Sequence, residues 1–562
     1  MENRLLFISN LGGSISYTDV SFRILNILNK RAKNTELFIF STGKVYELIN
    51  YSIPEKTGVK QENVYTISSS TTMNNTNWFN KEYHNNVVDG YLVIGEIIQR
   101  INPNIIFILN DNMYVNRMTE AITNVRPKYS GKIVCYVPID MGNFCEKTVN
   151  VNCNLIFSPT DFTRDIIMKH ETDIPVVTLP HPITNKQFYR INEYDVIPLK
   201  KKYLGLENID KFVVGAINAN SIRKRWDLVL KSFQIYHRIN PESILLIKTS
   251  KIQNGSKDGS HSRGVNLRDE LHKYEELKSV VIMIEGKLPI KELNEIYNCA
   301  DIFINCTDGE GFGLIPFECA LTGRVTLLPN YTSFSTLFDP NEKFMMPCDI
   351  YPAKLIRDND NIDNVLNNNL YYCIYYSSRN YRKSEMKIEN GMLGISKGIK
   401  TIYITTDGSD KDIVNINPVE ACSLFVHLRT LKRALELIKT LNKLPNEFQI
   451  LISCSPTIIE EVYETLLIHN AEMKDVENDR TVVVVNPHVI KTYRMKDTPH
   501  VGLVHPDDVA NRLVYYEENR GKLAEDGLKC LRYVENNLND DVFFDILNRS
   551  LREIDIDLIG SV

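Results

Sequence analysis

At 562 residues the chain is too long for one hydrophobic core and calls for two or three domains. Its 43% hydrophobic and 24% charged residues are ordinary globular values, and a net charge of −5 argues against a protein built mainly to grip nucleic acid. Eleven cysteines with no C-x-x-C pair among them fit reduced, structural thiols, not a disulfide framework or a zinc site.

The N-terminus, MENRLLFISNLGG, passes from a short apolar strand straight into glycines and lacks the long apolar stretch of a signal peptide. No run approaches the roughly 20 apolar residues of a membrane span. A cytoplasmic protein is expected, its membrane contact at most peripheral. Short apolar runs then follow at Leu5–Ser9, Glu36–Phe40, Ile105–Leu109, Ile133–Val137 and Val176–Pro180. Continuous apolar runs of this length suit strands covered on both faces, hence a parallel sheet with crossover helices. The polar segment Asn185–Tyr203 reads as a linker. The pattern restarts at Phe212–Ile217, Ile244–Lys248, Val280–Ile284, Asp301–Asn305 and Val325–Leu328, a second α/β unit. Between these, Ile290, Leu293, Ile296, Tyr297 and Ala300 form a helical stripe behind Pro289.

From Ile350 to Pro499 the sequence alternates polar stretches with the runs Thr401–Thr406, Phe448–Ser453 and Thr481–Asn486, and with an amphipathic stretch, Leu424–Leu441. It reads as an inserted or elaborating α/β segment. Asp507–Leu538 is strongly helical. The expected domains are 1–195, then 196–350 with 500–540, with 351–499 inserted and 541–562 a C-terminal helix returning to the first domain.

Two constellations carry chemistry. In DGEGFGLIPFECA (Asp308–Ala320) a strand ends, a glycine-rich turn follows, and a helix starts near Ile315 with Pro316 in its first turn. Gly311, Phe312, Gly313 and Leu314 thus stand at a helix N-terminus beyond a strand's carboxyl end, where free amides and the helix dipole favour an anion. Glu318 is electrostatically welcome in a first turn whether or not it binds anything. Glu310, an acid beside such a turn, needs another task, such as accepting from a sugar hydroxyl. In GAINANSIRKRWDLVLKSF (Gly215–Phe233), Arg223, Lys224 and Arg225 gather near a helix start. Three cations there oppose the helix dipole, so an anionic ligand explains them better than local stability does.

With these residues in view, much of the chain resembles the retaining glycosyltransferases of the GT-B fold, family 4 type. Phe157–Phe188 is similar to the family's segment joining the two domains. Lys224 and Asp227 stand at the K-x-x-D spacing of its phosphate clamp, Glu310 and Glu318 at its E-x7-E spacing, and Gly502–Tyr516 resembles its C-terminal helical region. The resemblance implies two Rossmann-like domains facing across a cleft, with a nucleotide-diphosphate sugar held by the second and an acceptor (glycan, lipid, protein or small molecule) by the first. It implies no metal and no further cofactor. Glu310 would meet the donor sugar, Glu318 the ribose, and the amides near Gly313 and Leu314 the diphosphate or sugar. Lys224 with Arg223 would neutralise the leaving diphosphate. Gly12 and Gly13, in NLGGS, resemble the loop facing the donor phosphates.

Three departures stand out, one being that Ile350–Pro499 lengthens the usual tail of the second domain. Ala216 occupies a position where the family often has arginine, leaving Arg223 or Arg225 to substitute. The family's histidine in the first domain is absent; Asp140 and Asp111 are the carboxylates available there. Asp358–Asp360, a D-x-D in a polar stretch, reads as a solvated loop and not as a metal site. Two rival readings are a catalytically silent GT-B scaffold or nucleotide-sugar binder, and a dinucleotide-dependent oxidoreductase. No G-x-G-x-x-G follows any strand, which disfavours the latter.

Overall fold

The computed structural model describes residues 3–11, 16–45, 53–68, 91, 93–125, 127–142, 152–169, 173–183, 186–249, 264–352 and 500–560, with eight separate strands between 386 and 496. The chain divides into two compact units: one holds Met1–Asp140, Lys147–Met346 and Pro506–Val562, the other chiefly Pro347–His505.

The first unit contains two parallel sheets. One is built from β1 (Asn3–Asn10), β2 (Thr35–Val45), β3 (Val64–Ser68), β4 (Ile105–Leu109), β5 (Lys132–Tyr136), β6 (Leu155–Ser158) and β7 (Val176–Thr178), in the order β3-β2-β1-β4-β5-β6-β7. The other comprises β8 (Phe212–Ile217), β9 (Ser243–Thr249), β10 (Val281–Glu285), β11 (Ile302–Ile304), β12 (Val325–Pro329) and β13 (Met345–Met346), in the order β10-β9-β8-β11-β12-β13. In both, the chain runs outward from its first strand to one edge, then returns to the other side. This is the doubly wound, Rossmann-like course, and every pairing is parallel. Around the sheets lie α1 (Ser16–Arg31), α2 (Glu193–Leu204), α3 (Trp226–Ile239), α4 (Ile290–Cys299), α5 (Leu314–Leu321), α6 (Pro506–Glu518), α7 (Arg520–Asn537) and α8 (Asp540–Arg552). Among the described residues, no helix is long and apolar enough to cross a membrane.

The central strands are apolar throughout because helices cover both faces: all five residues of β4 and all six of β8 are buried. Phe7 stacks on Phe107 at 5.3 Å in the first core. The far end of the chain finishes that core. Asn539 caps α8 by accepting from the amides of Asp541 and Val542. Phe543, Phe544, Leu547 and Leu551 then join the residues of β1, β4 and α1 in one cluster. Burying four such side chains contributes roughly 6–12 kcal/mol as an upper estimate. Leu558 O accepts from Asn34 N at 3.0 Å, and Asp557 O from Asn3 Nδ2 at 2.7 Å.

Some elements depart from the sequence reading. The segment expected as a linker contains α2. Asn192 caps it by accepting from Tyr194 N, with acids in its first turn and lysines in its last, but among its residues only Val196 and Leu204 are buried. A helix with so narrow an apolar stripe lacks the periodicity that would announce it. Strands β3 and β6, of five and four residues, were not anticipated, and β11 is shorter than Asp301–Asn305.

In the second unit, β14 (Cys348–Pro352) pairs antiparallel with β23 (His500–Val504), and β15 (Met386–Glu389) with β16 (Met392–Ile395). A six-stranded sheet follows the order β17-β18-β19-β21-β22-β20, with β17 (Thr401–Ile404), β18 (Ser423–Leu428), β19 (Gln449–Cys454), β20 (Ala471–Asp475), β21 (Asp479–Asn486) and β22 (Val489–Lys496). The start of the amphipathic stretch Leu424–Leu441 therefore belongs to a strand: SLFVHL is a short apolar run that periodicity alone cannot assign to helix or strand. Asp358–Asp360 lie outside the described residues.

Candidate functional site

In each sheet of the first unit the strand order reverses beside the first strand, and crevices for ligands open at the carboxyl ends of the strands flanking that point. In the second sheet these are β8 and β11. After β8, Ile222–Lys224 forms a single 3-10 turn, and Arg225, in the left-handed region at φ 51°, redirects the chain into α3. After β11 comes the loop Asn305–Gly313. The two loops are stitched together: Arg223 O accepts from Asp308 N at 2.9 Å, and Arg223 Nη1 donates to Gly309 O at 2.5 Å.

On this base three charges meet. Arg223 Nη1 lies 2.7 Å from Glu310 Oε2, and Lys224 Nζ contacts Glu310 Oε1. The Glu310 and Lys224 side chains are only 7% and 11% exposed, so this is a buried cluster and not a surface pair. Burial alone would raise the Glu310 carboxyl, but Arg223 and Lys224 outweigh it and bring its pKa down to about 2. Burial and the neighbouring Arg223 hold the Lys224 ammonium below its ordinary value, against the pull of Glu310. The Glu310 amide donates to Thr332 Oγ1 at 3.0 Å, fixing the loop.

The first sheet reaches the same place. Asp140, beyond β5, puts Oδ2 3.4 Å from Arg223 Nε. Tyr17, on α1, donates to Asp111 Oδ1 beyond β4. Arg223, Lys224, Glu310 and Asp140, named from separate stretches of sequence, thus form one connected group, with Asp111 nearby: both Asp140 and Arg223 act electrostatically on its carboxyl. Gly12 and Gly13 lie outside the described residues.

The glycines of the turn have a packing reason that the sequence did not reveal. A Cβ on Gly309 would stand 2.0 Å from Asp140 O, and one on Gly311 would stand 2.8 Å from Pro138 Cβ. Gly313 takes φ 82° at the start of α5. Phe312 is buried: its ring lies 4.6 Å from that of His181 and 4.8 Å from that of Phe317. Leu314 packs against the first core.

His181 was not singled out from the sequence. Tyr136 donates its one hydroxyl proton to Leu179 O at 2.5 Å, so His181 Nδ1, 2.7 Å from the Tyr136 hydroxyl, is the donor to that hydroxyl's oxygen. Burial, with Arg23 nearby, brings the imidazole pKa down to about 3.

Glu318, in α5, stands apart from the cluster. Tyr297 of α4 donates to its Oε2 at 3.0 Å, and Arg23 of α1 lies 3.5 Å from its Oε1. Arg23 and Glu318 are only 11% and 13% exposed. Burial pushes the Glu318 carboxyl up, while Arg23 and Tyr297 oppose the rise. Arg23 carried no sequence signal, being one cation on an amphipathic helix.

No protein-family model matches the chain, and a search of curated proteins finds no match. Solved structures of glycosyltransferases are similar to it at low identity. They include HepE of Anabaena in complex with UDP and glucose, at 12% identity and a TM-score of 0.46, over 61% of this chain and 86% of that one. Sucrose-phosphate synthase of Thermosynechococcus elongatus aligns at 12% identity and a TM-score of 0.44, over 61% and 86%. A glycosyltransferase of Rickettsia africae aligns at 13% identity and a TM-score of 0.44, over 62% and 84%. The strand orders, not these likenesses, carry the fold assignment, and nothing about substrate transfers at such identity.

Proposed function

We propose that the chain is a retaining, metal-independent glycosyltransferase of the GT-B fold and family 4 type, taking a sugar from a nucleotide diphosphate. The observation that carries this reading is the meeting of Arg223, Lys224 and Glu310 at the carboxyl ends of β8 and β11, where a doubly wound sheet binds its ligand. Arg223 and Lys224 are the diphosphate ligands. They leave Glu310 for the donor phosphates as these arrive and stabilise the charge that grows as the sugar departs. Glu310 then turns to the donor sugar's hydroxyls, Asp140 lies on the acceptor side, and Glu318 takes the ribose. Gly12, Gly13 and the turn Gly311–Leu314 flank the phosphates and sugar. The β-phosphate assists in deprotonating the acceptor, which attacks from the same face.

A second reading, a catalytically silent nucleotide-sugar binder, draws on the same cluster, since Glu310 here neutralises both cations. Donor hydrolysis and transfer, assayed over UDP-, GDP- and ADP-sugars with simple acceptors, separate the two. Turnover that falls with Glu310→Ala, while donor affinity falls with Lys224→Ala, supports the enzyme; binding without turnover for every donor supports the silent protein. Failure of all donors to bind refutes both.

A further inference from the structure

We propose that Arg23 of α1, together with Tyr297 of α4, is a positioning residue that orients the Glu318 carboxylate to receive the ribose hydroxyls of the donor. The inference rests on the glycosyltransferase reading and adds a residue from the helix after β1, on the acceptor side, to donor recognition.

A carboxylate this buried needs partners to stay ionised. Glu318 has one on each oxygen: Tyr297 on Oε2 at 3.0 Å and Arg23 on Oε1 at 3.5 Å. Each oxygen keeps a further lone pair, and two lone pairs in one plane match a vicinal diol such as the 2′- and 3′-hydroxyls of ribose. Arg23 is aligned in turn by Pro182 O and Gln187 Oε1, each at 3.4 Å, in the segment running between the two sheets. The other ionisable groups about Glu318 are Asp19, whose charge pushes its pKa up, and Cys319, next in α5. Arg23 is the charge that most opposes the effect of burial on it, and without it burial and Asp19 favour the neutral acid. A neutral carboxyl is a poor acceptor for two hydroxyls. An ordinary bridge between sheets would instead affect only stability.

Calorimetric titration of the full chain with UDP, GDP and ADP between pH 5.5 and 8.5 tests this, with the 2′-deoxy form of whichever binds. The wild type prefers the ribonucleotide across the range. Arg23→Met weakens binding about tenfold at pH 6, loses most of the preference over the deoxy form, and recovers both as pH rises. Arg23→Lys restores most of the binding at pH 6. Tyr297→Phe gives the same pattern at about threefold, and decides the matter if Arg23→Met does not fold. Unchanged affinity, pH profile and ribose preference in the folded variants overturn the inference, as does tighter binding. If Lys224→Ala weakens binding while these variants do not, the inference alone fails. If the wild type binds no nucleoside diphosphate, the function reading fails and takes the inference with it.

Discussion

Replacing Glu310 with glutamine keeps the side chain's size and removes its charge, leaving Lys224 buried without the carboxylate it contacts and Arg223 with Asp140 at 3.4 Å. The cost can be gauged from the carboxyl's titration. Its pKa falls from the ordinary 4.5 to about 2, which corresponds to about 3 kcal/mol of stabilisation of the charged form. Losing one partner of a buried pair typically costs about 3–5 kcal/mol, so the two routes agree. The sign is fixed by the depression: this stability is fully present above about pH 4.5 and is lost as pH falls through about 2. Glu310→Gln is therefore expected to be less stable than the wild type by about 3 kcal/mol at pH 7, with the gap closing as acid protonates the wild-type carboxyl. Trp226, buried in α3 just after Arg225, reports unfolding of this sheet. Urea unfolding followed by its fluorescence in a Trp78→Phe background measures the difference. A loss below about 1 kcal/mol at pH 7, the range of exposed ion pairs, would refute the buried cluster.

Gly309→Ala drives a Cβ to 2.0 Å from Asp140 O and is expected to lower stability by about 3 kcal/mol, read as a drop in melting temperature. Gly521→Ala, in the first turn of α7 with nothing within 4 Å, should raise stability by up to about 1 kcal/mol; equal melting temperatures for the two variants would contradict the close approach. His181, with its pKa brought down to about 3, stays neutral at physiological pH, and its burial contributes stability that declines as pH falls below about 6.5. Its ring proton resonances should not move between pH 8 and 5, and a titration there would show the ring to be exposed. Leu547→Ala, fully buried where α8 joins the first core, should cost about 2–5 kcal/mol in urea unfolding; a loss under about 1 kcal/mol would mean that α8 is not seated there.

Most central strands were legible because a strand covered on both faces must be apolar throughout, as VVGAI and IIFIL are. The cationic turn and the glutamate loop were legible because residues 222–224 and 308–313 sit at strand ends with unusual chemistry for their place. Less could be read where meaning depends on distant partners. Arg23 matters through Glu318, nearly 300 positions on, and His181 through Tyr136 and Phe312. The glycines at 309 and 311 look phosphate-ready in sequence, yet the loop at Pro138–Asp140 is reason enough for a missing Cβ. Helix α2 escaped notice because so few of its residues are buried.

The seat of α8 also sets the order in which the chain is completed during synthesis. The first core contains residues of β1 and α1 together with Phe543, Phe544, Leu547 and Leu551, so its last members leave the ribosome more than 500 residues after its first. At roughly 5–20 residues per second the interval is about 25–100 s. Throughout it α1 covers part of that core while the apolar surface that α8 will cover stays open. A nascent chain built this way has reason to engage a holding chaperone early, and a ribosome stalled before residue 540 is added leaves that part of the core open.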